Sequence, residues 1–308
     1  MNKYCVFSTG DDRYIPKAVV SLLSFKKYNP NYDMFVLCSD LSKENKRLCD
    51  DCGVSVIEID LGGIFYQTWK YPKECYYHFK GPELFLPKGY DYSVYIDGDT
   101  YCHSKFEFDI SEIFHVAGTS YDTHKELFTE IGEYDRVRHN LEITSEDDFN
   151  KRRIQSGVLV YNNKKLNEID YFKKVGELYD CSIKRDVPRK GDDSLLSLTL
   201  AMYPEIQTKE LSKYHNLIDF KVEAMKKNGS DIDNDIFAHC VIYHFIEQKP
   251  WFSIDQYLGY AHKVFVRKWL EVMMNHFTQR NIKRCFPNEY KEEVDSSCCQ
   301  SSGPDLGK

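Results

Sequence analysis

Strand-like and helix-like segments alternate through the first hundred residues, and this alternation constrains the fold more than any other feature. Short apolar runs at 4–8, 34–38 and 54–59 predict β-strands, whereas the apolar spacing over 18–28 and 41–52 predicts helices. Strands joined by crossover helices lie parallel in one sheet. We therefore predict an α/β fold with a Rossmann-like, mixed but mainly parallel sheet flanked by helices.

A pair of carboxylates, Asp97 and Asp99, follows a further strand-like run at 92–96. Ligands of open α/β sheets bind at the carboxyl ends of the strands, where oxygen ligands suit Mg²⁺ or Mn²⁺. A hairpin turn is the alternative, because Asp-Gly is a favoured turn dipeptide between two short strands. From these residues alone, both the metal site and the turn remain open.

Charge and cysteine usage narrow the classes of function. The net charge of −7 argues against a protein that binds nucleic-acid backbones. Eleven cysteines are scattered among apolar neighbours, which is typical of free thiols in a reducing compartment. The first residues enter a strand without a signal-peptide pattern, and no run approaches the ~20 apolar residues of a membrane span. We therefore expect a cytoplasmic protein.

Composition changes along the chain predict its organisation. Residues 103–153 are polar with two acidic stretches, and they suggest an insertion or lid over the carboxyl edge of the sheet. A solvated helical decoration is the alternative for this stretch. Residues 256–294 are predicted to form a helical extension, and the tail 295–308 is predicted to be disordered. The basic and aromatic residues of the extension predict a solvated helix face, with a peripheral membrane contact as the alternative.

Four stretches of the sequence stand out when taken in order. They are 7–14 (Phe-Ser-Thr-Gly-Asp-Asp-Arg-Tyr), 95–99 (Tyr-Ile-Asp-Gly-Asp), 155–158 (Gln-Ser-Gly-Val) and 244–251 (His-Phe-Ile-Glu-Gln-Lys-Pro-Trp). Together they resemble glycosyltransferase family 8, the type that includes glycogenin and the lipooligosaccharide galactosyltransferases. The second resembles the family's D-x-D strand, the third its N-A-G-V strand and the fourth its H-F-x-G-x-x-K-P-W segment. The resemblance implies a GT-A fold, with residues 1–255 forming the nucleotide-sugar-binding and catalytic domain.

The resemblance also implies a metal site and strengthens the metal interpretation of the acid pair. Its ligands would be Asp97, Asp99 and His244. A neutral imidazole is a competent ligand for Mn²⁺, which favours Mn²⁺ over Mg²⁺. For His244 by itself, a hydrogen-bonded core histidine at a strand end is the simpler interpretation.

Further residues match family positions that contact the donor nucleotide and its diphosphate. They are Thr9, Asp11, Tyr14, Lys80, Gly98 and Lys249. Asp11 is expected to accept the uracil imide N–H, Tyr14 to stack on or below the base, and Gly98 to allow close approach of the ribose. Lys249 is expected to place a charge near the leaving diphosphate, which makes it a catalytic candidate as well.

The chain departs from the family pattern at three places. Gln155 replaces the family's Asn, and Glu247 falls near the family's Gly in a segment that is one residue shorter. Asp192 and Asp193 stand where relatives carry Asp-Gln, so either acid could align with the family's Asp. Gln155, Asp192 and Asp193 are the polar candidates beneath the donor sugar.

The leading interpretation is a metal-dependent, retaining glycosyltransferase that uses a UDP-sugar, with galactose or glucose favoured by the resemblance. The acceptor would be a glycan, a protein hydroxyl or a lipid-linked sugar. A catalytically silent protein that binds nucleotide sugars is the alternative, because of the changes around Glu247. A sugar nucleotidyltransferase is disfavoured, since the turn after the first strand is acidic where such enzymes carry a basic, glycine-rich loop.

Overall fold

The computed structural model of the protein describes residues 2–61, 63–65, 72–130, 132–143, 146–187, 191–219, 222, 232–246, 249–251 and 260–286. Its strands are β1 Tyr4–Thr9, β2 Asp33–Cys38, β3 Ser55–Glu58, β4 Tyr92–Ile96, β5 Thr100–Cys102, β6 Val116–Thr119, β7 Val158–Asn162, β8 Thr208–Leu211, β9 Leu217–Ile218 and β10 Ile242–His244. Its α-helices are α1 Ile15–Tyr28, α2 Lys43–Asp51, α3 Gly81–Phe85, α4 His124–Glu130, α5 Tyr134–Asn140, α6 Asn163–Glu168, α7 Tyr171–Lys184, α8 Gly191–Met202, α9 Ile232–His239, α10 Tyr260–His276 and α11 Gln279–Cys285. Its 3₁₀ helices are Lys73–Lys80, Leu86–Lys88 and Lys213–Asn216.

The larger sheet confirms the predicted α/β fold. Its strand order is β3-β2-β1-β4-β7-β6-β8. The pairs β1–β2, β2–β3, β1–β4 and β6–β8 are parallel, and only β7 runs antiparallel to its neighbours β4 and β6. The sheet is therefore mixed but mainly parallel, as the alternation of strands and helices predicts.

Alternate residues of the central strands face two different helical layers. In β1, Val6 packs into the core on one face of the sheet, whereas Cys5 and Phe7 pack into the core on the other face. In β4, Val94 and Tyr95 divide in the same way. Successive side chains of a strand point to opposite faces, so a central strand with both faces covered reads as one continuous apolar run.

A second, three-stranded sheet decides between the two interpretations of Asp97-Gly98-Asp99. Its order is β5-β10-β9, so β4 and β5 belong to different sheets and do not form a hairpin. β5 pairs antiparallel with β10, with Thr100 opposite His244. The hairpin alternative is therefore wrong, and the acid pair joins two sheets.

The stretch 103–153 contains an element that the sequence pattern does not predict. Strand β6, Val116–Thr119, joins the larger sheet between β7 and β8. Its small residues show no clear alternation of apolar and polar side chains. Position 118 has no room for a side chain, because a Cβ there would lie 2.1 Å from Ile154 Cγ2. Helices α4 and α5 follow β6. The predicted lid role of this stretch stays a prediction, as do the domain boundaries.

The C-terminal part of the described chain is helical, in line with the helix-like pattern of the predicted extension. Within it, α10 packs Phe265, Val266 and Trp269 into the same core as α1. The tail 295–308 lies outside the described residues. Among the helices that the structure describes, none has the length and apolar character needed to cross a membrane.

Protonation of His124 is predicted to make stability depend on pH. This imidazole is buried, and its Nδ1 lies 2.7 Å from Ser197 Oγ on α8. Burial, together with the nearby Arg153 and Lys151, lowers the pKa of His124 from 6.5 to about 4. The folded protein therefore favours the neutral imidazole. The part of the free energy of unfolding that depends on the neutral ring is present above pH 6.5 and is lost as the pH falls toward 4.

The loss should approach about 3 kcal/mol in the free energy of unfolding, since each pKa unit corresponds to about 1.4 kcal/mol. Urea denaturation at several pH values between 7.5 and 4.5 (roughly the range spanned by the shift) measures it. His124→Asn removes the titrating ring and should flatten that part of the slope. Equal slopes for the wild type and this variant would contradict the prediction.

Candidate active site

The acid pair lies where the two sheets meet. Asp97 follows β4 directly, and its backbone N–H donates to the carbonyl oxygen of Gly157 over 2.9 Å. The carbonyl oxygen of Asp99 accepts from the N–H of Phe245, also over 2.9 Å. These backbone bonds bring His244, the last residue of β10, next to both acids.

Three side chains that can ligate a metal converge at this point. One ligand atom each from Asp97, Asp99 and His244 lies within 4.8 Å of the others. His244 Nε2 is 3.4 Å from Asp97 Oδ2 and 3.3 Å from Asp99 Oδ1. Asp99 Oδ1 is buried and accepts no hydrogen bond of good geometry from the residues that the structure describes. Two carboxylates, one of them with a buried oxygen that lacks a well-placed donor among the described residues, and an imidazole fit a divalent cation.

The two carboxylates differ in their electrostatic surroundings. Burial and the neighbouring Asp99 raise the pKa of Asp97 to about 8. Burial alone would also raise the pKa of Asp99, but the Lys249 ammonium and His244 outweigh it and hold this pKa below its usual value. Burial alone would lower the pKa of His244, whereas the carboxylates, Asp99 above all, raise it. The raised pKa of Asp97 reflects the repulsion between two buried carboxylates, and a cation bound between them would relieve that repulsion.

The Lys-Pro-Trp segment, 249–251, reaches this cluster from the C-terminal side. The Lys249 ammonium forms an ion pair with Asp99 Oδ2. Trp251 packs edge-on against Tyr14, with ring centroids 5.9 Å apart, and lies 5.8 Å from the ring of Trp269 on α10. The structure thus brings Lys249 to the acid pair. Glu247 lies outside the described residues.

The Asp11 carboxylate accepts hydrogen bonds within the turn that precedes α1. Its Oδ1 accepts the backbone N–H of Tyr14 over 2.9 Å and that of Arg13 over 3.1 Å. Its Oδ2 forms an ion pair with the Arg13 guanidinium at 2.9 Å. These contacts already use lone pairs of both Asp11 oxygens. The predicted hydrogen bond from the uracil N–H would have to share one of these oxygens.

Tyr14 and Gly98 pack against each other beside the acid pair. A Cβ at position 98 would lie 2.6 Å from Tyr14 Cε1 and 3.1 Å from the backbone of Ala18. The packing of this turn on α1 is therefore one reason why position 98 is glycine. Thr9 is buried nearby, and its hydroxyl bonds to that of Tyr95. The nucleotide contacts of Thr9, Tyr14 and Gly98 stay predictions.

Among the described residues, the Lys80 side chain contacts Glu83 and the Phe172 ring, not the acid pair that its predicted role would require. Its ammonium pairs with Glu83, three residues along, and lies 4.2 Å above the centre of the Phe172 ring on α7. The contacts that the structure describes do not bring it to the acid pair. Its predicted contact with the donor would require this ion pair to open.

The two candidate acids at the start of α8 have different surroundings. Asp193 Oδ2 pairs with the buried Arg153 guanidinium at 2.7 Å, and its Oδ1 accepts the N–H of Ser156 over 3.0 Å. Asp192 Oδ2 instead lies 3.3 Å from His78 Nε2, and its charge acts on Asp97. Both oxygens of Asp193 are thus engaged in the fold, whereas Asp192 faces the acid pair.

His78 is a buried site residue that no sequence pattern singled out. Its ring stacks on Tyr95 at a centroid distance of 4.5 Å, and its Nδ1 lies 2.6 Å from the Tyr161 hydroxyl. The Tyr95 hydroxyl in turn bonds to Asp97. A histidine in a short helix-like stretch carries no signal of such contacts, because its partners come from distant strands.

Gln155 lies just before β7 and is largely buried. Its Oε1 accepts the N–H of Gly157 over 2.8 Å and also bonds to the side-chain nitrogen of Asn216. The side-chain oxygen of Gln155 is therefore committed within the protein. Sequence reasoning did not identify Asn216, whose Oδ1 lies 3.0 Å from His244 Nδ1.

Solved structures of glycosyltransferases share this fold at low sequence identity. The galactosyltransferase LgtC, crystallised with donor and acceptor sugar analogues, superposes with a TM-score of 0.62 at 16% identity, covering 94% of this chain and 99% of LgtC. The bifunctional glycosyltransferase WbbM gives a TM-score of 0.62 at 19% identity, over 92% of this chain and 52% of WbbM. GlyE of Streptococcus pneumoniae gives 0.56 at 20% identity, over 89% of this chain and 63% of GlyE.

Sequence comparison identifies the family. Among curated protein sequences, none matches the chain significantly. The family described as "Glycosyl transferase family 8" matches residues 5–255, a span that includes the four stretches of the sequence resemblance and the whole acid–histidine cluster. This match covers most of the chain, and the shared GT-A fold agrees with it. The chain therefore belongs to glycosyltransferase family 8 and is a glycosyltransferase.

Proposed function

We propose that this enzyme is a metal-dependent, retaining glycosyltransferase that transfers a hexose from a UDP-sugar to a hydroxyl acceptor. The observation that supports it best is the convergence of Asp97, Asp99 and His244 at the junction of the two sheets. An imidazole beside two carboxylates favours Mn²⁺, with Mg²⁺ as the alternative. Galactose or glucose is the proposed sugar, and the acceptor would be a glycan, a protein hydroxyl or a lipid-linked sugar.

The reaction requires a diphosphate to leave the anomeric carbon, and charge develops on the departing oxygen. Asp97, Asp99 and His244 would hold a divalent cation, which would supply positive charge to that diphosphate. The Lys249 ammonium forms an ion pair with Asp99, one of these proposed ligands. In the proposed complex it turns from Asp99 to the diphosphate oxygens, where a mobile point charge meets the developing negative charge.

Asp192 is the proposed contact to the hydroxyls of the donor sugar. Asp193 is committed to Arg153 and Ser156, so it holds the start of α8 in place. The Gln155 oxygen is committed as well, which leaves its amide N–H groups for the sugar. Retention of configuration follows the family resemblance, and we propose a front-face reaction, with double displacement through a side-chain nucleophile as the less favoured alternative.

The direct test is UDP release from a panel of UDP-sugars with Mn²⁺, with Mg²⁺ and with a chelator. We expect slow hydrolysis of UDP-galactose or UDP-glucose that requires the cation. Binding of UDP-sugars without turnover for any donor would favour the silent alternative. Turnover that persists in the chelator would overturn metal dependence.

Asp99→Asn should remove most metal-dependent turnover and leave the protein folded. The amide carries no charge, so it is a weaker ligand for a hard cation. At limiting Mn²⁺ we expect a loss of about 10²-fold or more in kcat, the scale for losing one charged group at a reacting centre. Steady-state kinetics across Mn²⁺ concentrations measure it, with circular dichroism as the check of folding.

Asp33→Asn is the matched control for Asp99→Asn. Asp33 accepts a hydrogen bond from the Tyr90 hydroxyl over 2.6 Å at the amino end of β2, opposite the edge that carries the site. This variant should keep the Mn²⁺ dependence of the wild type. Near-wild-type activity of Asp99→Asn at limiting Mn²⁺ would show that the D-x-D assignment is wrong.

Lys249→Ala should lower kcat by ~10²–10³-fold and change UDP affinity much less. A cation that meets charge developed in the transition state affects mainly kcat, whereas uniform binding affects KM. Lys209→Ala is the control, because Lys209 is also paired with carboxylates, those of Asp109 and Glu112. A raised KM with unchanged kcat would make Lys249 a binding residue only.

A further inference from the structure

Asn216 lies between the proposed metal ligand His244 and the proposed sugar contact Gln155. It is the last residue of the 3₁₀ helix Lys213–Asn216 and directly precedes β9. β9 runs parallel to β10, with Ile218 opposite His244. The Asn216 side chain is fully buried, and the proposed mechanism gives it no role.

One backbone N–H determines how the Asn216 amide is oriented. The N–H of Gly157 donates to the side-chain amide of Gln155 over 2.8 Å, so the Gln155 atom that it reaches must be the oxygen. Asn216 bonds to that same oxygen, so the Asn216 atom there must be its nitrogen. The other amide atom, Oδ1, therefore faces His244 Nδ1 at 3.0 Å.

This orientation selects one tautomer of His244. An amide oxygen can only accept a hydrogen bond, so Nδ1 must carry a proton and donate it to Asn216. In the neutral ring, Nε2 is then left with its lone pair. Nε2 is also the nitrogen that faces the acid pair, 3.4 Å from Asp97 Oδ2 and 3.3 Å from Asp99 Oδ1. Nε2 needs that lone pair in order to bind a metal.

A close approach to Gly157 also constrains the His244 ring. A Cβ at position 157 would lie 2.1 Å from His244 Cε1 and 2.4 Å from its Nδ1. The ring therefore packs directly on the backbone at 157, while Asn216 holds the edge that carries Nδ1. Packing alone leaves the choice of tautomer open, and the hydrogen bond to Asn216 decides it.

We propose that Asn216 is a positioning residue that fixes the tautomer and the orientation of His244 for binding a divalent cation. This inference rests on the proposed function, in which His244 holds the cation. The Asn216 amide bonds to His244 and Gln155, so in this proposal it acts on the cation through His244 and not as a ligand. Loss of such a partner typically weakens metal affinity by about 10–100-fold.

Titration of the protein with Mn²⁺ alone, followed by the electron paramagnetic resonance signal of the free ion, tests the inference without relying on turnover. Asn216→Ala should weaken Mn²⁺ binding by about 10–100-fold. Asn163→Ala is the matched control, because Asn163 is equally buried and bonds to Ser93 Oγ at 2.7 Å and to the Tyr90 carbonyl at 2.9 Å. Both variants should melt earlier, but only Asn216→Ala should lose Mn²⁺ affinity.

Two more variants separate this inference from the proposed function. If His244→Ala leaves Mn²⁺ binding unchanged, the proposed metal site fails. If His244→Ala weakens binding and folded Asn216→Ala binds like the wild type, the role of Asn216 is overturned. Asn216→Asp keeps an acceptor for Nδ1–H but places an oxygen against Gln155 Oε1, so its Mn²⁺ affinity should lie between those of the wild type and Asn216→Ala.

A measurement on the wild-type protein keeps the inference testable if Asn216→Ala does not fold. Nitrogen-15 NMR of the imidazole, recorded above the pH at which His244 titrates, distinguishes the two neutral tautomers. The His244 signal is assigned by its absence from His244→Ala. We expect the proton on Nδ1, and a neutral His244 with its proton on Nε2 would overturn the inference.

Discussion

The antiparallel pairing of β5 with β10 is the contact on which the site depends. It places His244 opposite Thr100 and lets the N–H of Phe245 bond to the carbonyl oxygen of Asp99. Backbone hydrogen bonds of this kind do not depend on the side chains, so they can bring together residues that are far apart in the sequence. The cost of this arrangement is electrostatic, since it buries two carboxylates against each other. Lys249 and His244 offset that cost in part, and the proposed cation would complete the compensation.

The two adjacent acids at the start of α8 differ: Asp193 holds the fold, and Asp192 is the proposed contact to the donor sugar. Arg153 pairs with Asp122 at 2.6 Å and with Asp193 at 2.7 Å, which ties the stretch after β6 to the start of α8. A buried guanidinium with two carboxylate partners is costly to disrupt, because loss of one partner leaves an uncompensated charge. Asp192, the next residue along the chain, lies beside His78 and keeps its charge directed at Asp97. At the start of α8, Asp193 is thus held by Arg153, whereas the adjacent Asp192 lies beside His78 on the side of the acid pair.

Much of the fold could be predicted from local sequence, whereas only part of the site could. The strands β1 to β4 are short apolar runs, and their period identifies them without any partner. Strand β6 was missed because Val116–Thr119 is short and small, and it becomes a strand only through pairing with β7 and β8. The acid pair was visible as a motif, but its hairpin alternative could be rejected only once β5 was found in the second sheet. Asn216 and His78 gave no signal, since their importance lies in contacts with residues far along the chain.

Gln155, at the position where the sequence resemblance leads us to expect Asn, joins a hydrogen-bond chain that reaches His244. Glutamine has one more methylene than asparagine, and in this chain its oxygen turns back to the N–H of Gly157, two residues along. The same oxygen meets Asn216, whose amide then has its oxygen directed at His244. Because that oxygen already has two donors inside the protein, Gln155 can offer a ligand only N–H groups. Gln155 therefore presents only donors toward the site, and it takes part in the hydrogen-bond chain that, in our proposal, orients His244.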